Sequence, residues 1–206
     1  MKNPEIVVFD LGKVLVDFDY SIASRRIAQR GSIAPEAVQH FIDHSPLLYR
    51  YETGLLDQQQ FFDEVRRIAG FLGDREEFGR FFADIFTEIP EMIAFHQRLR
   101  DARVPTYIFS NTNDLAIGHI RRNFPFFENF DAHVLSYEHG AMKPHPQLYE
   151  VVERVTGRKG AQILYLDDRL ENAEAGRARG WNVIHHQHPV ESIRAAEAMG
   201  LPPPQT

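Results

Sequence analysis

Ile6-Val7-Val8-Phe9-Asp10-Leu11-Gly12-Lys13-Val14-Leu15-Val16 is the stretch on which the fold turns. An unbroken apolar run, β-branched and aromatic, is followed by one carboxylate and then a glycine. Runs of this kind suit a strand buried on both faces of a parallel sheet. Asp10 stands where that strand should end, and open α/β sheets bind ligands beyond the carboxyl ends of their strands. Gly12 lets the backbone approach a ligand closely. The stretch therefore carries one carboxylate to the mouth of a cleft.

Outward from it, residues 10–19 read as a loop or small hairpin anchored by Val14, Leu15 and Val16. Helical periodicity takes over from Tyr20 to about Glu88, with apolar sets such as Phe61/Phe62/Val65/Ile68 and Phe78/Phe81/Phe82/Ile85. Asp57 followed by Gln60 marks a capped helix start. After Pro90 the pattern alternates. Helices near 91–102, 113–123, 145–156 and 170–179 separate strands at Pro105–Ser110, Ala132–Ser136, Gln162–Asp168 and Asn182–His185. Such alternation predicts an α/β fold: a Rossmann-like, doubly wound parallel sheet with right-handed crossovers. The expected division is a core of residues 1–19 and 89–206, with an inserted helical domain at 20–88. Pro202-Pro203-Pro204 reads as a loose tail.

Composition narrows the function. The 206 residues carry a formal net charge of -6, which argues against general affinity for nucleic acid or an anionic membrane. There is no cysteine, so thiolate catalysis, disulfides and cysteine metal sites are excluded. That usage fits a cytoplasmic location. The N-terminal apolar run is too short for a signal peptide or a transmembrane helix.

Several strands end in polar residues. The first ends in Asp10, the second in Ser110-Asn111, and the fourth in Asp167-Asp168, with Asn172 four residues beyond Asp168. Met142-Lys143-Pro144 follows the third. In a parallel sheet these ends share one edge. A carboxylate, a hydroxyl, a lysine and a second carboxylate cluster suit phosphate chemistry, and the oxygen ligands suit Mg²⁺.

In order and spacing, Asp10-x-Gly12, Ser110-Asn111, Lys143-Pro144 and Asp167-Asp168-x-x-x-Asn172 resemble the four motifs of the haloacid dehalogenase (HAD) superfamily. The helical insert is similar to that superfamily's C1 cap. Residues 10–19 are most similar to the branch of bacterial α-D-glucose-1-phosphate phosphatases and the N-terminal phosphatase domain of soluble epoxide hydrolases. The resemblance implies a Mg²⁺-dependent phosphatase acting on a small phosphorylated metabolite, a sugar phosphate such as an anomeric hexose phosphate. Asp10 would attack phosphorus and form an aspartyl-phosphate. Asp10, the Gly12 carbonyl and Asp168 would hold Mg²⁺. Ser110, the Asn111 amide and Lys143 would bind phosphate, with Ser110 and Lys143 sharing in catalysis. Asp167 and Asn172 would orient Lys143 and the metal's waters. A monomer or homodimer is expected.

Two residues depart from that pattern, Gly12 and, less consequentially, Lys13. Most phosphatases of the superfamily carry a second aspartate two residues after the nucleophile, which protonates the leaving group. Here that residue is Gly12. Proton transfer of this kind contributes about 10²–10⁴-fold. The glucose-1-phosphate phosphatase branch also has glycine there, which points to a good leaving group; a water, Asp17 or Asp19 are other sources. Lys13 could add a cation at the hinge. Two alternatives stand: a metal-independent 2-haloacid dehalogenase, and a catalytically weak protein that binds a phosphorylated ligand or partner as a regulator.

Other stretches have plainer readings. Ser110-Asn111 alone would cap a helix. Asp17 and Asp19 are turn residues. His185-His186-x-His188 is a solvated loop. The phenylalanines of the insert (Phe61, Phe62, Phe71, Phe78, Phe81, Phe82, Phe86) are mostly helical core. Tyr49 to Leu55 either presents Arg50 or Tyr51 to a substrate or is an ordinary helix end.

Overall fold

The computed structural model describes residues 3–203. Pro202 and Pro203 belong to no helix or strand, and Pro204 lies outside the described residues. In chain order the elements are β1 (Ile6–Phe9), β2 (Val16–Phe18), α1 (Tyr20–Gln29), α2 (Pro35–His44), α3 (Pro46–Glu52), α4 (Gln58–Ala69), α5 (Arg75–Ala83) and β3 (Phe86–Glu88). Then come α6 (Pro90–Asp101), β4 (Thr106–Ser110), α7 (Asp114–Asn123), β5 (Ala132–Leu135), α8 (Pro146–Thr156), β6 (Ile163–Asp167), α9 (Leu170–Ala178), β7 (Asn182–His185) and α10 (Pro189–Ala198).

Five strands form one parallel sheet in the order β5-β4-β1-β6-β7. Alternation along β1 shows why its residues are all apolar. Val7 and Phe9 pack with Met92, Phe95 and Leu99 of α6 and with Ile117 and Ile120 of α7. Ile6 and Val8 pack on the other face with Leu148, Tyr149 and Val152 of α8. Both faces are covered, as the unbroken apolar run requires. The fold is the expected α/β doubly wound one. The winding order reverses at β1, with β4 and β5 added on one side and β6 and β7 on the other, and the crevice between β1 and β6 is where such sheets bind ligands. Asp10 and Asp167-Asp168 sit at that crevice.

Helices α1–α5 enclose a second core. Phe61, Phe62, Phe71, Phe78 and Phe82 fill it with Tyr51, Ile27 and Val65. Of the seven phenylalanines read as helical core, Phe86 is instead in a strand, and it touches both cores. The capped start of α4 takes the form of a capping box: Asp57 accepts from the Gln60 N–H, and Gln60 accepts from the Asp57 N–H.

Two local readings need correction, and one further helix is added. The segment after Asp10 closes a tight turn, with the Lys13 N–H on Val16 O at 2.6 Å and the Val16 N–H on Leu11 O at 3.0 Å, but its strand β2 pairs antiparallel with the distant β3, so Val16 lies opposite Glu88. That two-stranded ribbon carries the chain into and out of the helices. Residues 189–198, which the sequence left unassigned, form α10. The histidine run is not a solvated loop, because His186 is buried with Nδ1 2.9 Å from Ser192 Oγ.

Candidate active site

Asp10 leaves β1 with its backbone N–H donating to Leu166 O of β6 at 2.9 Å. The carboxylate turns back to accept the Leu11 N–H at 2.7 Å, an arrangement that fixes its direction. It is 7% exposed. Lys143 arrives from the loop before α8 and places Nζ 2.9 Å from Asp10 Oδ1 and 2.7 Å from Asp167 Oδ2. The third ammonium proton goes to Phe109 O at 2.8 Å. A lysine, a solvated surface charge when read alone, is here a buried cation between two carboxylates.

Asp167 is saturated. Oδ1 accepts from the Arg169 N–H at 2.8 Å and from Asn172 Nδ2 at 3.1 Å. Oδ2 accepts from Lys143 and from the Tyr165 hydroxyl. Burial raises the Asp167 carboxyl, but Lys143 and these donors outweigh it and hold the group below the usual carboxylate range. Burial likewise lowers Lys143, yet the charges of Asp10 and Asp167 prevail and keep the ammonium protonated. Asp10 is pushed up chiefly by burial, against Lys143 and with further upward pressure from Asp167 and Asp168. Asp168 is raised by burial and by Asp167.

Asp10, Asp167 and Asp168 each offer a carboxylate oxygen within 4.8 Å of the others. Since Asp167 is engaged by Lys143, Tyr165 and Asn172, the pair available to a cation is Asp10 and Asp168. Two carboxylates left side by side in a buried cleft call for a positive charge, and hard oxygen donors suit Mg²⁺. Asn172 supports the fit: its Oδ1 is buried with no hydrogen-bond partner, an acceptor ready for a metal-bound water. Behind Asp168, His185 Nε2 donates to its carbonyl at 2.9 Å.

Ser110, at the end of β4, is 3% exposed and lines the cleft. The Asn111 side chain has its own task. Its Oδ1 accepts from the Lys143 N–H at 2.7 Å and its Nδ2 donates to Lys143 O at 3.0 Å. That clamp carries the lysine to its place, and Asn111 itself lines the cleft. Neither Ser110 nor Asn111 caps α7. Asn113 does, through Oδ1, and its buried Nδ2 has no partner. The structure thus brings together Asp10, Gly12, Ser110, Asn111, Lys143, Asp168 and Asn172 along one cleft, with Asp167 beneath Lys143.

The other carboxylates near the first motif stay out. Asp17 pairs with Lys13 and accepts the Phe18 N–H, while Asp19 caps α1 through Ser21. Lys13 Nζ is held by Asp17 and Phe18 O, 4.6 Å above the Phe18 ring, rather than presented as a free cation. In the helical block, Arg50 is exposed and Tyr51 packs inward, bonded to Asp114. The residue between them and the glycine turn, Glu52, enters the cleft. The sequence reading passed over it, and the only signal was a carboxylate beside Tyr51 at a helix end.

A sheet that carries a buried aspartate beyond β1 and a lysine-linked acidic pair beyond β6 is the framework of a hydrolase class. Residues 4–180 match the profile of haloacid dehalogenase-like hydrolases, and the chain belongs to that family. It is similar to a D-ribitol-5-phosphate phosphatase of Bacteroides thetaiotaomicron, 22% identical over 88% of this chain and 91% of that one. A HAD family enzyme of the same organism, solved with magnesium and inorganic phosphate, superposes with a TM-score of 0.81 at 20% identity, covering 89% and 94% of the two chains. An L-2-haloacid dehalogenase of Xanthobacter autotrophicus superposes at 0.64, with 19% identity over 87% and 76%. No described helix is long and apolar enough to cross a membrane.

Proposed function

We propose that this hydrolase releases inorganic phosphate from a small phosphate monoester, a sugar or polyol phosphate, with Mg²⁺ as cofactor and an aspartyl-phosphate intermediate. The observation that carries the reading is the Lys143 ammonium shared between Asp10 and Asp167 with Asp168 alongside. It sets one ammonium among three carboxylates, a cleft that a bound cation would bring to neutrality. Relatives bearing phosphate and named for phosphatase activity support it. Within the family, residues 10–19 favour the glucose-1-phosphate phosphatase branch.

Asp10 attacks phosphorus through the oxygen not held by Leu11. Asp10, Asp168 and the Gly12 carbonyl would hold the metal, which when bound neutralises charge on the phosphate and the nucleophile. The Ser110 hydroxyl and the Asn111 backbone N–H hold phosphate oxygens, and Lys143, whose protons go to Asp10, Asp167 and Phe109 O, attracts the phosphate through its charge. Asp167 and Asn172 keep Lys143 and the metal's waters in place. Residues 20–88 act as a cap domain over a core of 1–19 and 89–206, excluding bulk water while the ester is cleaved.

Phosphate release from a panel of sugar and polyol phosphates, with Mg²⁺, with EDTA and with Asp10→Asn, tests the reading. Release is expected to require Mg²⁺ and to fall by at least about 10³-fold in Asp10→Asn. Turnover that survives chelation, or halide release from 2-haloacids, overturns it.

A further inference from the structure

The Gly12 problem has an answer in the helical block. We propose that Glu52 is the general acid and base of this site, giving a proton to the leaving oxygen and then taking one from water. The proposal rests on the phosphatase reading above.

Position is the first argument. Glu52 is the last residue of α3, and its backbone is docked on the core. Ser136 Oγ, in the turn after β5, lies 2.5 Å from Glu52 O. One residue earlier the Tyr51 hydroxyl donates to Asp114 at the start of α7. Two residues later Gly54 approaches Tyr137 so closely that a Cβ would stand 2.2 Å from Tyr137 O. Contacts on both sides of Glu52 therefore hold it over the cleft that contains Asp10, Lys143 and Asp168.

Elimination is the second. Among the described residues, the carboxylates lining this cleft are Asp10, Asp168 and Glu52. Asp10 is the nucleophile and Asp168 serves the cation. Lys143 spends its three protons on Asp10, Asp167 and Phe109 O. Lys13 is held by Asp17, and Arg169 cannot release a proton near neutrality. Burial pushes the Tyr20 hydroxyl well above its ordinary range, so it stays protonated. Glu52 remains, with Arg169 as the charge that opposes it.

Its environment suits the task. Burial pushes the Glu52 carboxyl up to about 7, with Arg169 as the opposing charge. Tyr20 of α1 faces it, Asp43 of α2 lies near Tyr20, and Tyr137 and Glu138 belong to the turn against which α3 packs. A general acid works best with a value near the operating pH. In the first step Asp10 Oδ bonds to phosphorus, the ester P–O bond breaks, and the Glu52 proton passes to the departing oxygen. In the second, water attacks phosphorus, its proton goes to the Glu52 carboxylate, and the Asp10–phosphorus bond breaks. The acid is restored. With this donor, the enzyme is not confined to good leaving groups such as an anomeric oxygen.

The test compares 4-nitrophenyl phosphate, whose leaving group needs little protonation, with benzyl phosphate, whose alkoxide needs it. Glu52→Gln is expected to lower kcat/KM for benzyl phosphate by about 10²–10⁴-fold while changing kcat/KM for 4-nitrophenyl phosphate less than about threefold, since only the first step enters kcat/KM. It should lower kcat on both, because the second step has lost its base. The wild-type kcat/KM for benzyl phosphate should fall as pH rises past about 7, where Glu52 loses its proton. That limb should vanish in Glu52→Gln, and Glu52→Asp should restore part of the rate. Equal losses of kcat/KM on both substrates, a change in KM alone, or a wild type that hydrolyses only 4-nitrophenyl phosphate overturns the assignment. Failure of the phosphatase reading looks different: the wild type then shows no Mg²⁺-dependent release from 4-nitrophenyl phosphate above Asp10→Asn.

Discussion

The Phe18 ring lies against Gly12 where a side chain would begin: a Cβ on Gly12 would stand 2.8 Å from Phe18 Cε1. Lys13 over the ring, Tyr20 edge-on at 5.5 Å and Phe86 at 6.0 Å keep the ring there. The absence of an acid at residue 12 is therefore built into the packing of the β2–β3 ribbon. Gly12→Asp alone should not raise activity, because the ring must shift, at about 1–3 kcal/mol for overpacking. Gly12→Asp with Phe18→Ala makes room, and should restore turnover of benzyl phosphate in a Glu52→Gln background. Urea melts of the single variant and steady-state rates of the combined one check this.

Lys143 is the cation of a buried network, and its loss exposes the cost of burying charge. Lys143→Met leaves Asp10 and Asp167 facing each other without a counter-charge. Removing one partner of a buried ion pair costs about 3–5 kcal/mol. Because Asp167 is held below its ordinary value in the native protein, that stabilisation is present above the unfolded carboxylate range and lost as pH falls through the folded value. The penalty of Lys143→Met should therefore be larger at neutral pH than in acid. Equilibrium unfolding across pH measures it, and a flat difference would contradict the network.

The Asp10–Asp168 pair predicts a thermal shift without any substrate. Mg²⁺ at ten times its dissociation constant should stabilise the fold by about 1.4 kcal/mol. Asp168→Asn should abolish that shift while leaving the metal-free melting temperature equal or higher, since Asp168 is raised by burial and by Asp167. Calorimetry with Mg²⁺ and with EDTA decides it.

His96 gives a stability test remote from the cleft. Its ring is 1% exposed, stacked 3.8 Å from Phe130, with Nε2 3.1 Å from Thr106 Oγ1. Burial, reinforced by Arg100, lowers it to about 4. The unfolded chain thus binds a proton that the native one does not, so stability falls as pH drops below the unfolded value of about 6.5. Between about 6 and 4 the loss should approach about 1.4 kcal/mol per pH unit from this residue. His96→Phe should flatten that slope, read from urea midpoints at several pH values.

What could be read along the chain is what sits next to its own signal. Asp10, Ser110 and Asp167 each end a short apolar run, and a run buried on both faces can stop only where the sheet meets its edge. The order of those ends, with Lys143 between them, carries the family, and the Asp57–Gln60 capping box is complete within four residues. Asn111 as the clamp on Lys143 was not readable, since its partner lies 32 residues away. Nor was β3, whose three residues acquire strand character only from pairing with β2. His186 became a core group because α10 brings Ser192 against it.

Glu52 shows the same division most clearly. The sequence by itself determined a parallel α/β sheet, an acidic and lysine-bearing edge and an inserted run of helices, because each is written in local pattern and residue type; that Gly12 stands where an acid is usual follows from the resemblance to the family. Tertiary structure alone decided that Phe18 closes the space beside Gly12 and that Glu52 lies over the cleft. Both depend on how the helical block docks on the core, and the bond that seats Glu52 joins residues 84 apart. Side-chain direction across such a distance follows from packing, which no local pattern encodes.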